Sequence, residues 1–248
     1  MRFAPRLLAA AALGLPIVSH AAPSDYVYYP YVEYGEREID FKYGTAKAKD
    51  ANGGERESEA SLAFGYGATQ WWFTEAYLKY HKVAGDKAGY DAFEWENKFQ
   101  LTEPNQYFVD VGLITEIEIP KERRVEGYEL KVGPLFQFYT GPLTWNANLL
   151  LARVVRAPEA HATEMGYQLQ ARYPLGRGVD VGVQAFGEMG KWNHWEPRDG
   201  QNHRIGPAVF GKVKLEGRQA IKYNAAFLFG ETKVSPRNTF RLQAEYEF

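Results

Sequence analysis

The feature that most restricts the fold of this chain is a strict alternation of apolar and polar residues, which is clearest at its end. Over residues 240–248, aromatic or aliphatic side chains occupy the even positions, and charged or amide side chains occupy the odd ones. Successive side chains of a β-strand point to opposite faces, whereas a helix with this sequence would carry apolar groups all round its surface. The last nine residues are therefore predicted to form an amphipathic strand.

The same period recurs from residue 38 to the end of the chain and marks out twelve segments. Mostly short, turn-like connections alternate with more polar and usually longer ones, for example 140–142 against 191–202. An even strand number, short periplasmic turns and longer extracellular loops are typical of bacterial transmembrane β-barrels. We predict an all-β fold, a closed antiparallel transmembrane β-barrel over residues 38–248 with about twelve strands, and about ten or fourteen as the alternatives.

Alternation does not say which face points inward, and a soluble barrel would bury the apolar face. Two observations favour the membrane barrel. Twelve strands exceed the roughly eight whose interior side chains alone can fill a barrel. Aromatic residues also collect at both predicted strand ends, such as Trp71 and Trp72 at one end and Trp192 and Trp195 at the other. Girdles of this kind mark the two membrane interfaces.

Two prolines conflict with this assignment. Pro134 and Pro207 fall within predicted strands, and a closed barrel has no free edge where the missing N–H would be harmless. A β-bulge at each proline, or strand ends displaced by a few residues, would remove the conflict.

The first residues form a secretory signal peptide. Arg2 and Arg6 precede an apolar run from Leu7 to Val18, which ends at the small residues of 19–22. The run is shorter than the roughly 18 apolar residues expected of a membrane anchor. We place the cut after Ala21, with Ala22 as the alternative, so that residues 1–21 are removed.

Composition excludes several classes of function. The chain has 29 Lys and Arg against 31 Asp and Glu; the signal peptide takes two arginines, so the mature part carries a net charge of −4. An acidic chain does not offer the basic surface that nucleic acid requires. The absence of cysteine disfavours a small domain held by disulfides.

These features together resemble the outer-membrane β-barrel proteins of Gram-negative bacteria, over the whole mature chain. Tyr246 and Phe248, at the end of the last strand, resemble the signal that the barrel-assembly machinery reads in that superfamily. The strand number is similar to that of small porins and of the outer-membrane phospholipase. The resemblance implies an outer-membrane location after cleavage, with outer-membrane lipid, the assembly machinery and small polar solutes as partners. It points to an architecture and to no specific family.

Residues 22–37 precede the barrel and are rich in tyrosine. They form either an aromatic anchor at the periplasmic interface or a piece folded into the barrel mouth. We predict the anchor, because aromatic side chains settle at the level of the lipid headgroups.

If the polar face lines the lumen, the strands divide into two charged walls that together set the charge selectivity of a pore. Alternatively, the charges of the two walls pair with each other across the lumen and close it. The acidic wall comprises Glu94, Glu96, Asp110, Glu116 and Glu118. The basic wall comprises Arg172, Arg204, Lys212, Lys214, Lys222 and Arg241.

No other chemistry is indicated by the residue spacing. His161, His194 and His203 are weak candidates for a zinc or copper site, because they lack the close spacing of a ligand pair. None of the mature serines lies in a nucleophile motif, and an acid–histidine pair such as Asp86 with His81 is not distinguished from ordinary loop residues. We predict no cofactor, no metal and no enzymatic activity. The expected function is a narrow passive channel for small polar or charged solutes. The alternatives are a closed barrel whose loops bind a ligand, metal or partner, and a rim-located hydrolase.

Overall fold

A computed structural model describes residues 22–248, so the predicted signal peptide and its cleavage lie outside the described residues. The described part is built almost entirely from strands. Twelve long strands follow one another along the chain. They are β1 (Arg37–Lys47), β2 (Arg56–Gly67), β3 (Trp72–Val83), β4 (Gly89–Gln100), β5 (Asp110–Pro120), β6 (Tyr128–Thr140), β7 (Leu143–Val155), β8 (Glu164–Gly176), β9 (Val179–Lys191), β10 (Asn202–Lys214), β11 (Ala220–Gly230) and β12 (Asn238–Glu247).

Each strand pairs antiparallel with the next in the chain, and the sheet closes between β1 and β12. The closing register sets Ile39 opposite Tyr246. Tyr246 also stacks on Phe248, with ring centroids 5.5 Å apart. The predicted closed antiparallel barrel of twelve strands is confirmed. The remaining elements lie in the loops: a helical turn α1 (Arg123–Glu126), two 3-10 turns (Asp50–Asn52 and Arg198–Gly200) and a two-residue strand (His194–Trp195) that extends the hairpin from β9.

The connections follow the predicted alternation, with one exception. Most of those at the end where β1 begins are short, down to two residues at 141–142 and 177–178. The connection between β4 and β5 covers 101–109 and is longer than predicted. The connections at the other end cover 48–55, 84–88, 121–127, 156–163, 192–201 and 231–237.

The polar face of the sheet points into the barrel. Asp40 on β1 is 1% exposed and its neighbour Phe41 is 42% exposed, and the same contrast runs round the other strands. Apolar side chains thus form the outer surface, as lipid contact requires. In the part of the chain that the structure describes, no helix combines the length and the apolar character needed to cross a membrane.

Pro134 and Pro207 do lie inside strands, and neither of the two predicted explanations is correct. Pro134 pairs with Leu113 on one side, and Pro207 pairs with Val183. On the other side the ladder omits each proline and the glycine before it, then resumes in the same register, so no residue is inserted. The missing N–H therefore leaves a short gap in the hydrogen-bond ladder on one side of the strand. The preceding glycine allows that gap: a Cβ at Gly133 would lie 1.9 Å from the carbonyl oxygen of the adjacent strand.

Candidate functional site

The lumen of the barrel is occupied by residues 22–36, which we call the N-terminal segment. The predicted anchor at the membrane interface is wrong, and the alternative position inside the barrel is what the structure shows. The tyrosines of the segment bind lumen carboxylates instead of lipid headgroups, because a polar lumen offers each hydroxyl an acceptor. From the middle of the barrel towards the periplasmic end, Tyr26 donates to Glu96 (2.5 Å), Tyr28 to Glu116 (3.0 Å) and Tyr31 to Asp110 (2.5 Å).

The backbone of the segment is bound as well. The Tyr28 N–H donates to Gln168 on β8, and the Tyr28 carbonyl accepts from Asn148 on β7. Nearer the extracellular end, Gly44 on β1 lets the segment approach the wall, since a Cβ there would lie 2.1 Å from the Pro23 carbonyl carbon. The segment is thus held along its length by contacts that specify one position in the lumen.

Two apolar clusters clamp the segment at mid-height. Val27 packs among Phe186, Phe210 and Leu228, with the small Ala208 and Ala226 beside them. Tyr28 packs among Ile114, Leu135 and Leu150. These wall residues sit on the inward face, where alternation predicts polar groups. The sequence does carry a signal for them. Runs of three apolar residues, such as Leu149-Leu150-Leu151 and Phe227-Leu228-Phe229, place an apolar side chain on the inward face. Burial of these groups against the segment excludes water from this level of the lumen.

A chain of hydrogen-bonded amides lines the wall beside the clusters. Asn146 donates to Gln137, Gln170 to Asn146, and Gln184 to Gln170, which links β6 through β9. Arg241 on β12 completes the chain by donating to Gln184 at 2.5 Å. Strands β10 and β11 lie between Arg241 and Gln184. At this height they carry the small residues Ala208 and Ala226, which leave room for the Arg241 side chain. Sequence reasoning missed this amide chain.

The residues of the predicted acidic wall face the lumen. Glu94, Glu96, Asp110 and Glu116 are buried, while Glu118 lies nearer the extracellular mouth. Their charges are balanced inside the same wall rather than across the lumen. Lys79 contacts Glu94 (3.1 Å) and Glu118 (2.5 Å), and Lys131 contacts Glu116 (2.7 Å). The tyrosines of the N-terminal segment satisfy the others.

The residues of the predicted basic wall differ in position. Arg172, Lys212 and Lys222 line a cavity at the periplasmic end, and Lys214 is exposed at the periplasmic rim. Lys222 and Lys212 both pair with Glu247. The remaining two members, Arg204 and Arg241, are buried beside the N-terminal segment.

The charges of the two buried arginines are neutralised to different extents. Arg204 lies 3.3 Å from Asp25 of the N-terminal segment. Arg241 takes part in no ion pair with any described residue, and its Nε and Nη2 have no hydrogen-bond partner there. The two walls therefore do not pair directly; the N-terminal segment lies between them.

Cavities lie at both ends of the lumen. The outer cavity, of about 420 Å³, borders Ala22, Pro23 and Asp25 of the segment. The inner cavity, of about 680 Å³, borders the segment from Tyr26 to Glu36. No wall residue lines both cavities, whereas the N-terminal segment borders each of them.

The outer cavity is strongly acidic. Nine carboxylates line it, against two lysines and one histidine. The acidic residues are Asp25, Glu57, Glu59, Asp91, Glu118, Glu126, Glu129, Glu164 and Glu188. Its field attracts cations, since low-dielectric walls of one charge concentrate counter-ions.

At the inner end, Glu36 lies just before β1. Burial of its carboxyl, together with a hydrogen bond to Glu247, raises the pKa of Glu36 to about 7, in spite of the nearby Lys222. This group connects the N-terminal segment to the barrel and ionises near neutral pH.

The histidines do not form a metal centre with one another. Within residues 22–248, the acid and histidine clusters tight enough for a metal are two glutamate triads, Glu36–Glu38–Glu247 and Glu94–Glu96–Glu116, and lysines contact members of both. His203 contacts Tyr167 (3.0 Å) and Gln201 (2.7 Å) instead. His81 lies 3.9 Å from Glu57, so its acidic neighbour is Glu57 rather than Asp86.

The serines offer no nucleophile–histidine pair among the described residues. Ser235 Oγ bonds to the backbone N–H and carbonyl of His203 and not to its imidazole. Ser24 donates to Glu59 (2.7 Å), and Ser58 donates to Thr45 (3.0 Å). These contacts position the backbone and the N-terminal segment.

The fold is shared with known membrane barrels. An outer-membrane channel from Pseudomonas putida F1 superimposes with a TM-score of 0.61 at 12% identity, over 92% of this chain and 99% of that one. A membrane protein from a study of in-meso crystallization gives 0.50 at 9% identity, over 87% and 84% of the two chains. The translocator domain of the autotransporter NalP from Neisseria meningitidis gives 0.48 at 13% identity, over 87% and 89%. No family model and no curated protein matches the sequence. At 12% identity, the superposition on the Pseudomonas putida channel establishes the fold alone, that of an outer-membrane β-barrel.

Proposed function

We propose that this protein is a narrow passive channel of the outer membrane for small polar or charged solutes, and that its N-terminal segment closes the channel. The observation that carries the proposal is the pair of polar cavities, which enter the lumen from opposite ends and are divided by residues 22–36. A barrel built only for stability has no need of two polar cavities separated by a segment without regular secondary structure.

The contacts of the segment support a removable closure. Its side chains bind through hydrogen bonds, three ion pairs and packing. Among the described residues, its backbone bonds to the backbone of the wall at its end, where Gly35 and Glu36 pair with Gly67 on β2. Each of these interactions contributes a few kcal/mol at most. Many of the lumen groups beneath it are polar and would be hydrated once the segment leaves, while the apolar wall residues around Val27 and Tyr28 favour the bound position. The likeness to the Pseudomonas putida channel and the apolar outer surface support an outer-membrane location, with the longer loops outside.

Charge selectivity is proposed to follow from the two cavities. Solutes entering from outside meet the acidic outer cavity first, which favours cations. At the inner cavity, acidic residues such as Glu96 face the basic Arg172, Lys212 and Lys222. Opposite charges on facing walls orient a dipolar solute across the lumen.

A reversible tether tests the closure directly. The Oγ of Ser24 lies 2.7 Å from Glu59 on β2, and the chain has no cysteine. We would make the double variant Ser24→Cys with Glu59→Cys in the mature protein and record single channels in planar bilayers, oxidised and then reduced. We expect unitary opening only in the reduced state, while thiol titration confirms that the disulfide has formed.

A variant that lacks residues 22–34 provides a second test of the closure. We expect a larger and steadier conductance than that of the full mature chain, with heat-modifiable migration showing that the barrel still folds. The single variant Ser24→Cys serves as the matched control and should show no redox dependence. A folded barrel that stays silent after the deletion would reject the channel, and would favour the competing function, a closed barrel that acts through its outer loops.

A further inference from the structure

Three basic residues lie together on the lipid-facing side of the barrel, at the end that carries the longer loops. Lys47 ends β1 and is directly opposite Arg56, which begins β2. Lys82 on β3 is opposite Ser58, two positions along β2 from Arg56. Within its own strand, each lies an even number of positions from residues whose side chains point outward, such as Phe41 on β1 and Leu62 on β2. We call Lys47, Arg56 and Lys82 the basic patch.

Like charges placed directly opposite each other on paired strands destabilise the sheet. Side chains at such positions have Cβ atoms about 5 Å apart, and no carboxylate relieves the repulsion here. The ion pairs nearby join His81 to Glu57, which points into the outer cavity, and Arg237 to Asp50. Among the described residues, none of the three cations of the patch takes part in an ion pair.

Hydroxyl groups complete the surface of the patch. Thr45 is opposite Ser58 in the β1–β2 ladder, and the Ser58 hydroxyl donates to the Thr45 hydroxyl at 3.0 Å. Arg56 reaches the same Thr45 oxygen only at 3.4 Å. The Thr45 hydroxyl in turn donates to the Glu57 carbonyl, so both hydroxyls are engaged within the wall. The three cations therefore supply the charged donors that suit a phosphate group, which presents several strong acceptors.

The row directly below the patch fixes its height in the membrane. Tyr43, Ala60, Tyr80 and Tyr90 are successive partners across β1 to β4, and Tyr80 and Tyr90 are in edge-to-face contact at 6.1 Å. Tyrosine rows of this kind lie at the membrane interface. Lys82 lies one outward row beyond these tyrosines, and Lys47 and Arg56 lie two rows beyond, which places the patch at the level of the lipid headgroups.

We propose that the basic patch binds the phosphate group of a glycolipid of the outer leaflet, such as lipid A. The lipid is preferred over free phosphate because the patch adjoins the apolar belt, so that acyl chains would lie along Leu62 and Phe64 below it. The assignment depends on the outer-membrane orientation proposed above but not on channel activity. A bound phosphate would offset the repulsion between Lys47 and Arg56.

Native mass spectrometry of the detergent-solubilised mature barrel tests this. Bisphosphorylated lipid A would be titrated against the parent chain and against the double variant Lys47→Gln with Arg56→Gln. The charge-matched control is Arg153→Gln with Arg156→Gln, which removes two exposed cations from the same end of the barrel. Those two have other neighbours, since Arg153 is opposite Leu130 and Arg156 lies over the Tyr128 ring.

We expect the patch variant to bind lipid A on the order of tenfold more weakly, as the loss of two interfacial cations implies, and the control to bind like the parent. Dephosphorylated lipid A should bind all three proteins equally weakly. An equal loss in both double variants would show general charge attraction and overturn the proposal, as would unchanged binding in the patch variant. Competition by millimolar inorganic phosphate would show a free-anion site instead. Bilayer recordings of the patch variant should match the parent, which separates this result from that of the tether experiment.

Discussion

The hydroxyl of Tyr28 donates a 3.0 Å hydrogen bond to Glu116 on β5, in the middle of the barrel. Through its backbone the same residue binds Gln168 and Asn148 on β8 and β7. One residue of the N-terminal segment thus connects three strands of the wall at the level where the two cavities are divided. The energetics of closure should depend strongly on this residue.

Replacing Tyr28 with alanine should open the channel. The loss of a buried aromatic side chain costs roughly 3 kcal/mol, about a hundredfold in the balance between the bound and the released segment. Single-channel open probability in planar bilayers measures the change. Tyr34→Ala is the matched control, because Tyr34 belongs to the same segment and is 60% exposed. Equal open probabilities for the two variants would contradict the assignment of Tyr28.

Closure should weaken as the pH rises from about 5 to about 8. With the segment bound, Glu36 has a pKa of about 7 because of burial and its contact with Glu247; once released, it returns to about 4.3. The bound state then holds the extra proton, so its stability is full below the lower value and is lost as the pH rises through the higher one. Open probability should increase over this range. Glu36→Gln should remove most of the dependence, and an unchanged dependence in that variant would refute the role of Glu36.

Neutralising the basic residues of the inner cavity should shift ion selectivity towards cations. The variant Arg172→Gln, Lys212→Gln, Lys222→Gln removes three positive charges from its lining and leaves the acidic residues in place. The reversal potential under a salt gradient reports the shift. Lys214→Gln serves as control, because Lys214 is exposed at the rim and does not line the cavity. An unchanged reversal potential in the triple variant would reject selectivity by the facing walls.

Gly133→Ala should destabilise the barrel by roughly 1–3 kcal/mol, the cost of forcing a methyl group into a packed place. The added Cβ would meet the Leu149 carbonyl oxygen at 1.9 Å, so the β6–β7 ladder must move apart. The loss of heat-modifiable migration on warming would then occur at a lower temperature. Gly89→Ala, also within a strand, has open space at the new Cβ and should behave like the parent. Identical transitions would show that the Gly-Pro gap adapts freely.

The sequence by itself determined the architecture. Period-2 alternation from residue 38 to Phe248, with short and long connections in turn, defined twelve strands and their order, because side-chain direction in a strand depends only on local backbone geometry. It also identified the inward charged residues, such as Glu94, Glu116 and Arg241. Strand pairing between neighbours follows from the same pattern, while the choice of a membrane barrel with its polar face inward also used the strand number and the aromatic girdles.

The closure of the lumen was decided only by the tertiary structure. Tyr26, Tyr28 and Tyr31 suit a membrane interface as well as a polar lumen, and nothing local distinguishes the two environments. The choice depends on acceptors contributed by distant strands: Glu96, Glu116 and Asp110 lie about 70 to 90 residues along the chain. Likewise, the charge partners of the acidic wall are lysines one or two strands away, which depends on strand register. Alternation fixes which face a side chain is on, and only the folded barrel fixes what it meets there.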